Sequence, residues 1–310
     1  MNNTENLNRY GLTLTYIVES FPVNYDEGYG NISVAKKIHR LNGEAYLFAS
    51  RQSLRFSLIN YLVEQNLIKY APLTKEKGVI QYDESELKKY YYEEADLFGY
   101  MITTKGEKAL TRPAAVRLSH LISLEKYYGD YEFLTNKNFA DRAKDNPNIA
   151  NIETSLNLYK YTINIDLDKI GVDNNFPINL NKEEKIRRVN LILEATKYLY
   201  RDIRGRRENL SPIFVIGGIY HIKSPLFSNA IELDFSLEKP TLNFNPINQI
   251  LDSQYEINSQ KFNIKDFTYI GILKDKLNIK PKELNIPIYS PFEVIDKIKQ
   301  EIYSEIEKIL

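Results

Sequence analysis

The segment Tyr159–Leu167 (YKYTINIDL) alternates apolar and polar side chains without interruption. A period of two is what a strand with one covered face requires. Leu12–Ser20 (LTLTYIVES) repeats that pattern, and Ile213–Tyr220 reads as a buried strand. Two segments switch to the helical period. Ser50 stands as N-cap of a helix reaching about Gln65, with Leu54, Leu58, Leu62 and Val63 on its apolar face. Asn181 caps a longer helix whose stripe runs through Ile186, Val189, Leu193, Tyr200 and Ile203 and which Gly205 ends. Ala114–Leu124 reads as a further strand. The order is therefore strand, helix, strand, strand, helix, strand, an α+β chain approximating a ferredoxin-like core.

Two stretches interrupt that order. Leu67–Tyr92 reads as an insertion with a short helix near Glu84–Tyr92, followed by a return strand at Asp96–Thr103. Glu125–Asn157 is polar and aperiodic and reads as an excursion. Later strands are predicted at Ala230–Phe235 and Phe267–Leu273. Ser290-Pro291-Phe292-Glu293 has the form of a capping box opening a terminal helix with Ile295, Ile298, Ile302, Ile306 and Ile309.

Composition removes several function classes. There are no cysteines, which excludes disulfides, thiolate zinc, iron–sulfur clusters and a cysteine nucleophile. His39, His120 and His221 lie far apart and outside any metal-binding spacing, so no metal or cofactor is expected. Met1–Tyr10 carries no apolar leader, and the longest apolar run, Ile213–Tyr220, is too short for a bilayer. A cytoplasmic chain without membrane contact is expected.

Net charge is +0, which alone argues against a free-standing nucleic-acid binder. The charges are segregated, however. Lys36–Arg55 sets Lys36, Lys37, Arg40, Arg51 and Arg55 against Glu44, and Lys182–Arg207 has over twice as many basic as acidic residues. Asp83–Asp96 is acidic. Such a chain can grip a polyanion on one face and meet proteins on another. In Ser50-Arg51-Gln52-Ser53-Leu54-Arg55 the arginines share a helix face at the positive end of the dipole, unfavourable by roughly 0.3–1 kcal/mol. A bound anion reverses that sign, and free amides, Ser50, Gln52 and two guanidiniums make a phosphate site. The alternative is a solvated face. Arg201, Arg204, Arg206 and Arg207 surround Gly205. Dipole complementation accounts for the first two but not for Arg206 and Arg207, which a turn can set against a nucleic-acid backbone. For catalysis only Asp26 and Glu27 stand out, in a loop that is more simply solvated.

Several segments together resemble the backbone subunit of type I CRISPR surveillance complexes (RAMP superfamily), most closely its DevR-like type I-B branch. They are Gly30-Asn31 to Lys36-Lys37-Ile38; Ser50 to Arg55; Ala95 to Met101; Arg112-Pro113 to Arg117-Leu118-Ser119-His120; Tyr159-Lys160-Tyr161 into Ile165 to Asp168; and Gly205 to Pro212. Order and spacing over Gly11–Gly218 make the set specific. Arg51 departs from it, where a small residue is expected.

The resemblance implies an RRM-like palm (11–63, 112–120, 159–273), a fingers insertion (64–111), a β-hairpin thumb (121–158) and a C-terminal segment (274–310). It implies a non-catalytic subunit of a Cascade-type ribonucleoprotein that polymerises along the guide (crRNA) in a helical filament. Its partners would be the guide, further copies of itself, small-end, large and guide-processing subunits, and the target DNA strand. The RNA-binding residues expected are Asn31, Lys36, Lys37, Arg40, Ser50, Arg51, Gln52, Arg55, Arg112, Arg117, Arg206 and Arg207. Two other readings stand beside it: a type III-like subunit cleaving target RNA with Asp26, and a nucleic-acid-binding regulator.

Overall fold

In a computed structural model, which describes residues 7–76, 78–103, 109–279, 284 and 286–309, the strand Gly11–Ser20 lies near the middle of the main sheet. Asn157–Asp166 pairs with it on one side and Pro212–Tyr220 on the other, both antiparallel, with Tyr16 opposite Tyr161 and Val215. Beyond Asn157–Asp166 come Val116–Leu118 and Leu121–Ser123, then Ala45–Ala49 and the edge strand Lys37–His39. Beyond Pro212–Tyr220 come Thr268–Ile272 and Ile288–Tyr289. The fourth strand of the predicted order thus flanks the first, the third flanks it opposite, and the second lies outside the third.

One face carries the helices Arg51–Glu64, Lys182–Lys197 and Pro291–Ile309. Leu54, Leu58, Leu62, Val189, Leu193, Ile298 and Ile302 pack there on Leu14, Tyr16, Tyr161 and Val215. Each such burial contributes about 1.5–3 kcal/mol. The capping box forms: Ser290 N–H donates to Glu293 Oε2 at 2.7 Å, and Glu293 N–H donates to Ser290 Oγ at 3.3 Å. The other face is covered by the chain after Tyr220, where Phe227, Ile231, Phe244 and Ile247 pack on Ile17, Phe214 and Ile216. Two-sided burial explains why Gly11–Ser20 is buried almost throughout.

Four expectations change. The helix from Asn181 ends at Lys197, and Tyr200–Ile203 instead pairs with Arg206–Asn209. The turn between them places Arg204 and Gly205 at φ +51° and +77°, the two-residue left-handed geometry that fits a hairpin. Gly205 is therefore a hairpin glycine, not a helix stop. Asp96–Thr103 is helix Glu93–Phe98 followed by strand Tyr100–Ile102, with Gly99 at φ +70° between. Ala230–Phe235 contracts to Leu233–Asp234. Ala114–Leu124 is split at Ser119–His120.

The insertion has its own small core of Leu87, Tyr91, Ala95, Tyr100 and Ile102, closed by Phe176. Its residues 104–108 lie outside the described residues. The excursion is a hairpin, Asp130–Thr135 with Ile149–Thr154, bearing the short helix Lys137–Ala143. The middle of its second strand, Asn151 and Ile152, joins Ile32–Ser33 in parallel. No helix among the described residues is long and apolar enough to cross a membrane.

Candidate functional site

The start of helix Arg51–Glu64 follows directly on strand Ala45–Ala49, so sheet geometry fixes where its first turn points. Ser50 caps it, its Oγ accepting from Ser53 N–H at 3.2 Å. That lone pair is committed to the helix. Arg51 N–H donates to His120 Nδ1 at 3.2 Å. Gln52 is exposed, and no described residue accepts from it.

A chain of contacts leads from there to the arginine hairpin. The His120 ring meets Phe48 edge-on, and Phe48 N–H donates to the Lys36 carbonyl at 3.0 Å. Lys36 Nζ stands 3.9 Å from Asp26. Next to it, Lys37 Nζ bonds Glu153 and lies 4.4 Å from the centre of the Tyr127 ring. The Tyr25 hydroxyl donates to the Glu153 carbonyl and accepts from Arg206 Nη2, both at 3.2 Å. The Arg204 guanidinium sits over the Tyr25 ring at 4.3 Å. Arg201 fastens the hairpin to the helix through Ser53 O at 3.3 Å and Ser57 Oγ at 3.2 Å.

Lys36, Lys37, Ser50, Arg51, Gln52 and Arg206 are therefore brought into one band. Asn31 adjoins it, its carbonyl accepting from Asn151 N–H in the second strand of the excursion. Arg40 stacks on Tyr46 at 4.4 Å, and its charge reaches Lys160. Burial lowers the Lys160 pKa most, and Arg40 lowers it further.

The other expected residues stand elsewhere. Arg55 turns to the insertion, donating to Tyr82 at 3.0 Å and lying 3.5 Å from Glu94. Arg207 is held by Asp202 at 2.6 Å and lies 4.0 Å over Tyr200. Arg112 is a correction. Its side chain is only 6% exposed, bonded to Asp96 at 2.6 Å and to the carbonyls of Lys169 and Val172. A guanidinium buried and satisfied in this way has no donor left for RNA. Lys160, Arg204, His120 and Tyr25 adjoin these residues too, and sequence reasoning did not single them out as candidate binding residues. Lys160 left one signal, a cation at the polar phase of a clean strand alternation.

Arg117 sits at the far end of its strand pair, donating to Asp166 Oδ1 at 2.8 Å; Lys169 is 2.8 Å and Lys223 4.0 Å from the same carboxylate. Burial alone would raise the Asp166 pKa. The bonds from Arg117 and Lys169, with the nearby charges, outweigh it and hold the carboxyl below its usual range. The folded value thus lies below the unfolded one of about 3.9. The carboxylate contributes stability above that pH and loses it as pH falls through the folded value. Asp166→Asn should flatten the acid limb of a urea-stability profile below about pH 4; a limb as steep as wild type would show that the pairing does not operate in solution.

The model of the family described as "CRISPR-associated negative auto-regulator DevR/Csa2" matches residues 12–234. This chain belongs to the DevR/Csa2 family. The match spans the central strands, the band and the strand Pro212–Tyr220, and stops within the second-face cover. Among solved structures, a chain of a "CRISPR RNA-guided surveillance complex, pre-nicking" shares the fold of this DevR/Csa2 chain. Its TM-score is 0.60 at 12% identity, covering 94% of this chain and 100% of that one. A chain of a "CRISPR RNA-guided surveillance complex" aligns at 0.54 and 13% identity, covering 94% and 99%. No curated protein matches the DevR/Csa2 chain in sequence.

Proposed function

We propose that this chain is the guide-RNA-binding, non-catalytic backbone subunit of a type I-B CRISPR surveillance complex. Copies polymerise along the guide and present it to target DNA, in company with small-end, large and guide-processing subunits. The main sheet with its three helices is the RRM-like palm, and the insertion 64–111 forms the fingers. The thumb is the segment 121–158, whose hairpin Asp130–Thr135 with Ile149–Thr154 follows a short strand, Leu121–Ser123, that pairs within the main sheet.

The observation that carries this reading is the band itself: cations from the edge strand, the helix start and the arginine hairpin linked by a chain of contacts, with Asp26, Glu153 and Glu208 set among them. It offers guanidinium, ammonium and amide donors at several points. That is the equipment for phosphates and ribose, and sequence is left to base pairing. Neutral net charge suits a subunit whose remaining surface meets protein.

The decisive experiment is purification from the native cell followed by sequencing of bound RNA, then titration of single-stranded RNA against salt. Guide-derived RNA should copurify. If about six phosphates are held, log K should fall with log salt at a slope near −4. Salt-independent affinity, or absence of guide RNA, would sink the reading. The family description favours one competitor, a regulator, which a specific promoter footprint would establish. Periodic cutting of complementary RNA, lost in Asp26→Ala, would establish the type III-like reading instead.

A further inference from the structure

The break in the second core strand opens a notch in the sheet. Val116–Leu118 and Leu121–Ser123 both pair with Asn157–Asp166, and Ser119–His120 bulges out between them. Ser119 keeps the ladder satisfied: its N–H donates to Thr162 O at 2.9 Å and its Oγ accepts from Thr162 N–H at 2.8 Å. The notch beside it has a volume of about 290 Å³, with Arg51, His120, Lys160, Ser228 and Asn229 on its walls and no carboxylate among its lining residues.

Its walls are rich in unspent donors. Because His120 Nδ1 accepts from Arg51 N–H, the neutral ring carries its proton on Nε2. Lys160 Nζ makes one long bond, to the Ile231 carbonyl at 3.4 Å. No described residue pairs with the Arg51 guanidinium, the Ser228 hydroxyl or the Asn229 amide. Glu232 is the carboxylate whose charge reaches Lys160, and it accepts from Asn243 at 3.2 Å. A basic, acid-free recess near the lower end of small-ligand pocket sizes, about 300 Å³, suits an anion with a polar appendage. It lies where the helix start meets the band.

We propose that this notch seats one phosphodiester of the guide RNA together with its ribose. Lys160, Arg51 and His120 take the anionic oxygens, and Asn229 takes the sugar hydroxyl. This rests on the guide-binding reading and joins Lys160 and Asn229, which lie outside the band, to Arg51 within it. A bound phosphate would also relieve the crowding of Lys160 by burial and Arg40.

The test is fluorescence anisotropy of a labelled single-stranded RNA, and of DNA of the same sequence, across a salt series. Wild type is compared with Lys160→Met, Asn229→Ala and the band variant Arg204→Ala. Lys160→Met should weaken RNA binding several-fold and make the salt slope shallower by about 0.7, one lost phosphate contact. Its melting temperature should hold or rise. Asn229→Ala, on an exposed turn, should weaken RNA binding and leave DNA binding unchanged; it carries the test alone if Lys160→Met does not fold. Wild-type affinity and slope in both notch variants, with loss only in Arg204→Ala, would overturn the notch and leave the guide-binding reading standing. Absence of salt-dependent RNA binding by the wild-type protein would instead remove the reading beneath it.

Discussion

Replacing Lys36, Arg204 and Arg206 together by alanine should weaken binding of single-stranded RNA by two orders of magnitude or more. Charge-assisted hydrogen bonds contribute about 1.5–3 kcal/mol each, so three lost contacts amount to at least about 4 kcal/mol before partial compensation by neighbours. The salt slope should become shallower by about 2, from roughly 0.7 per phosphate on single strands. The loss should be alike for RNAs of unrelated sequence, because the contacts are to backbone. Arg204 and Arg206 both lie against Tyr25, so the triple variant must be checked for folding by thermal melting. Lysine at 204 and 206 is the conservative control and should recover most of the binding. Arg207→Ala should change affinity little, since Asp202 holds that guanidinium through two short hydrogen bonds, at 2.7 and 2.6 Å, whereas the carboxylate contact of Arg206, with Glu208, is longer at 3.3 Å. A loss confined to certain sequences would contradict backbone gripping.

The contrast between Arg206 and Arg207 shows what sequence could and could not say. Both follow Gly205, and both read as cations in a turn. In the hairpin they are neighbours on one strand, so their side chains take opposite faces. Arg206 meets Tyr25 and, at 3.3 Å, Glu208, while Arg207 meets Asp202 and Tyr200. A helix reaching Gly205, as the spacing predicts, hides that division. Tyr200 and Ile203 fitted the helical stripe by spacing alone, and the Arg204-Gly205 turn overrode it. The central strands were legible because their period is two and their residues β-branched or aromatic. The strand break at Ser119–His120 was not. The Ser119 side chain repairs the ladder there, and a residue that substitutes for backbone pairing leaves no mark in a hydropathy pattern. The second-face cover was illegible for a related reason. Its apolar residues, Phe227, Ile231 and Phe244, are scattered through turns and short elements with no period.

Arg112 is where the two readings make opposite forecasts, and Arg112→Ala should destabilise the protein by about 3–5 kcal/mol. Asp96, with a fully buried side chain, accepts from Arg112 Nη2 at 2.6 Å, from Arg188 Nη1 at 3.0 Å and from Gly171 N–H at 3.0 Å. Arg188 also donates to the Tyr91 carbonyl at 2.6 Å. These bonds tie the insertion to the long helix and to the loop after Asn157–Asp166. Removing one partner from a buried ion network leaves uncompensated charge, and the cost is of that size. Here the truncation also strands the carbonyls of Lys169 and Val172. Against a total of about 5–15 kcal/mol, that is at least about a fifth of the protein's stability. Asp96→Ala should cost at least as much, because it removes the buried carboxylate that two guanidiniums share, leaving Arg188 only Glu184 at 2.8 Å and Arg112 only Asp173 at 3.5 Å as charged partners among the described residues. The measurement is the urea midpoint, with Arg207→Ala as the surface control expected within about 0.5 kcal/mol of wild type. An RNA affinity that falls only in proportion to the unfolded fraction would fix Arg112 as a structural tether. Unchanged stability with a lost phosphate contact would return Arg112 to the guide-binding surface, where its place in the sequence had put it.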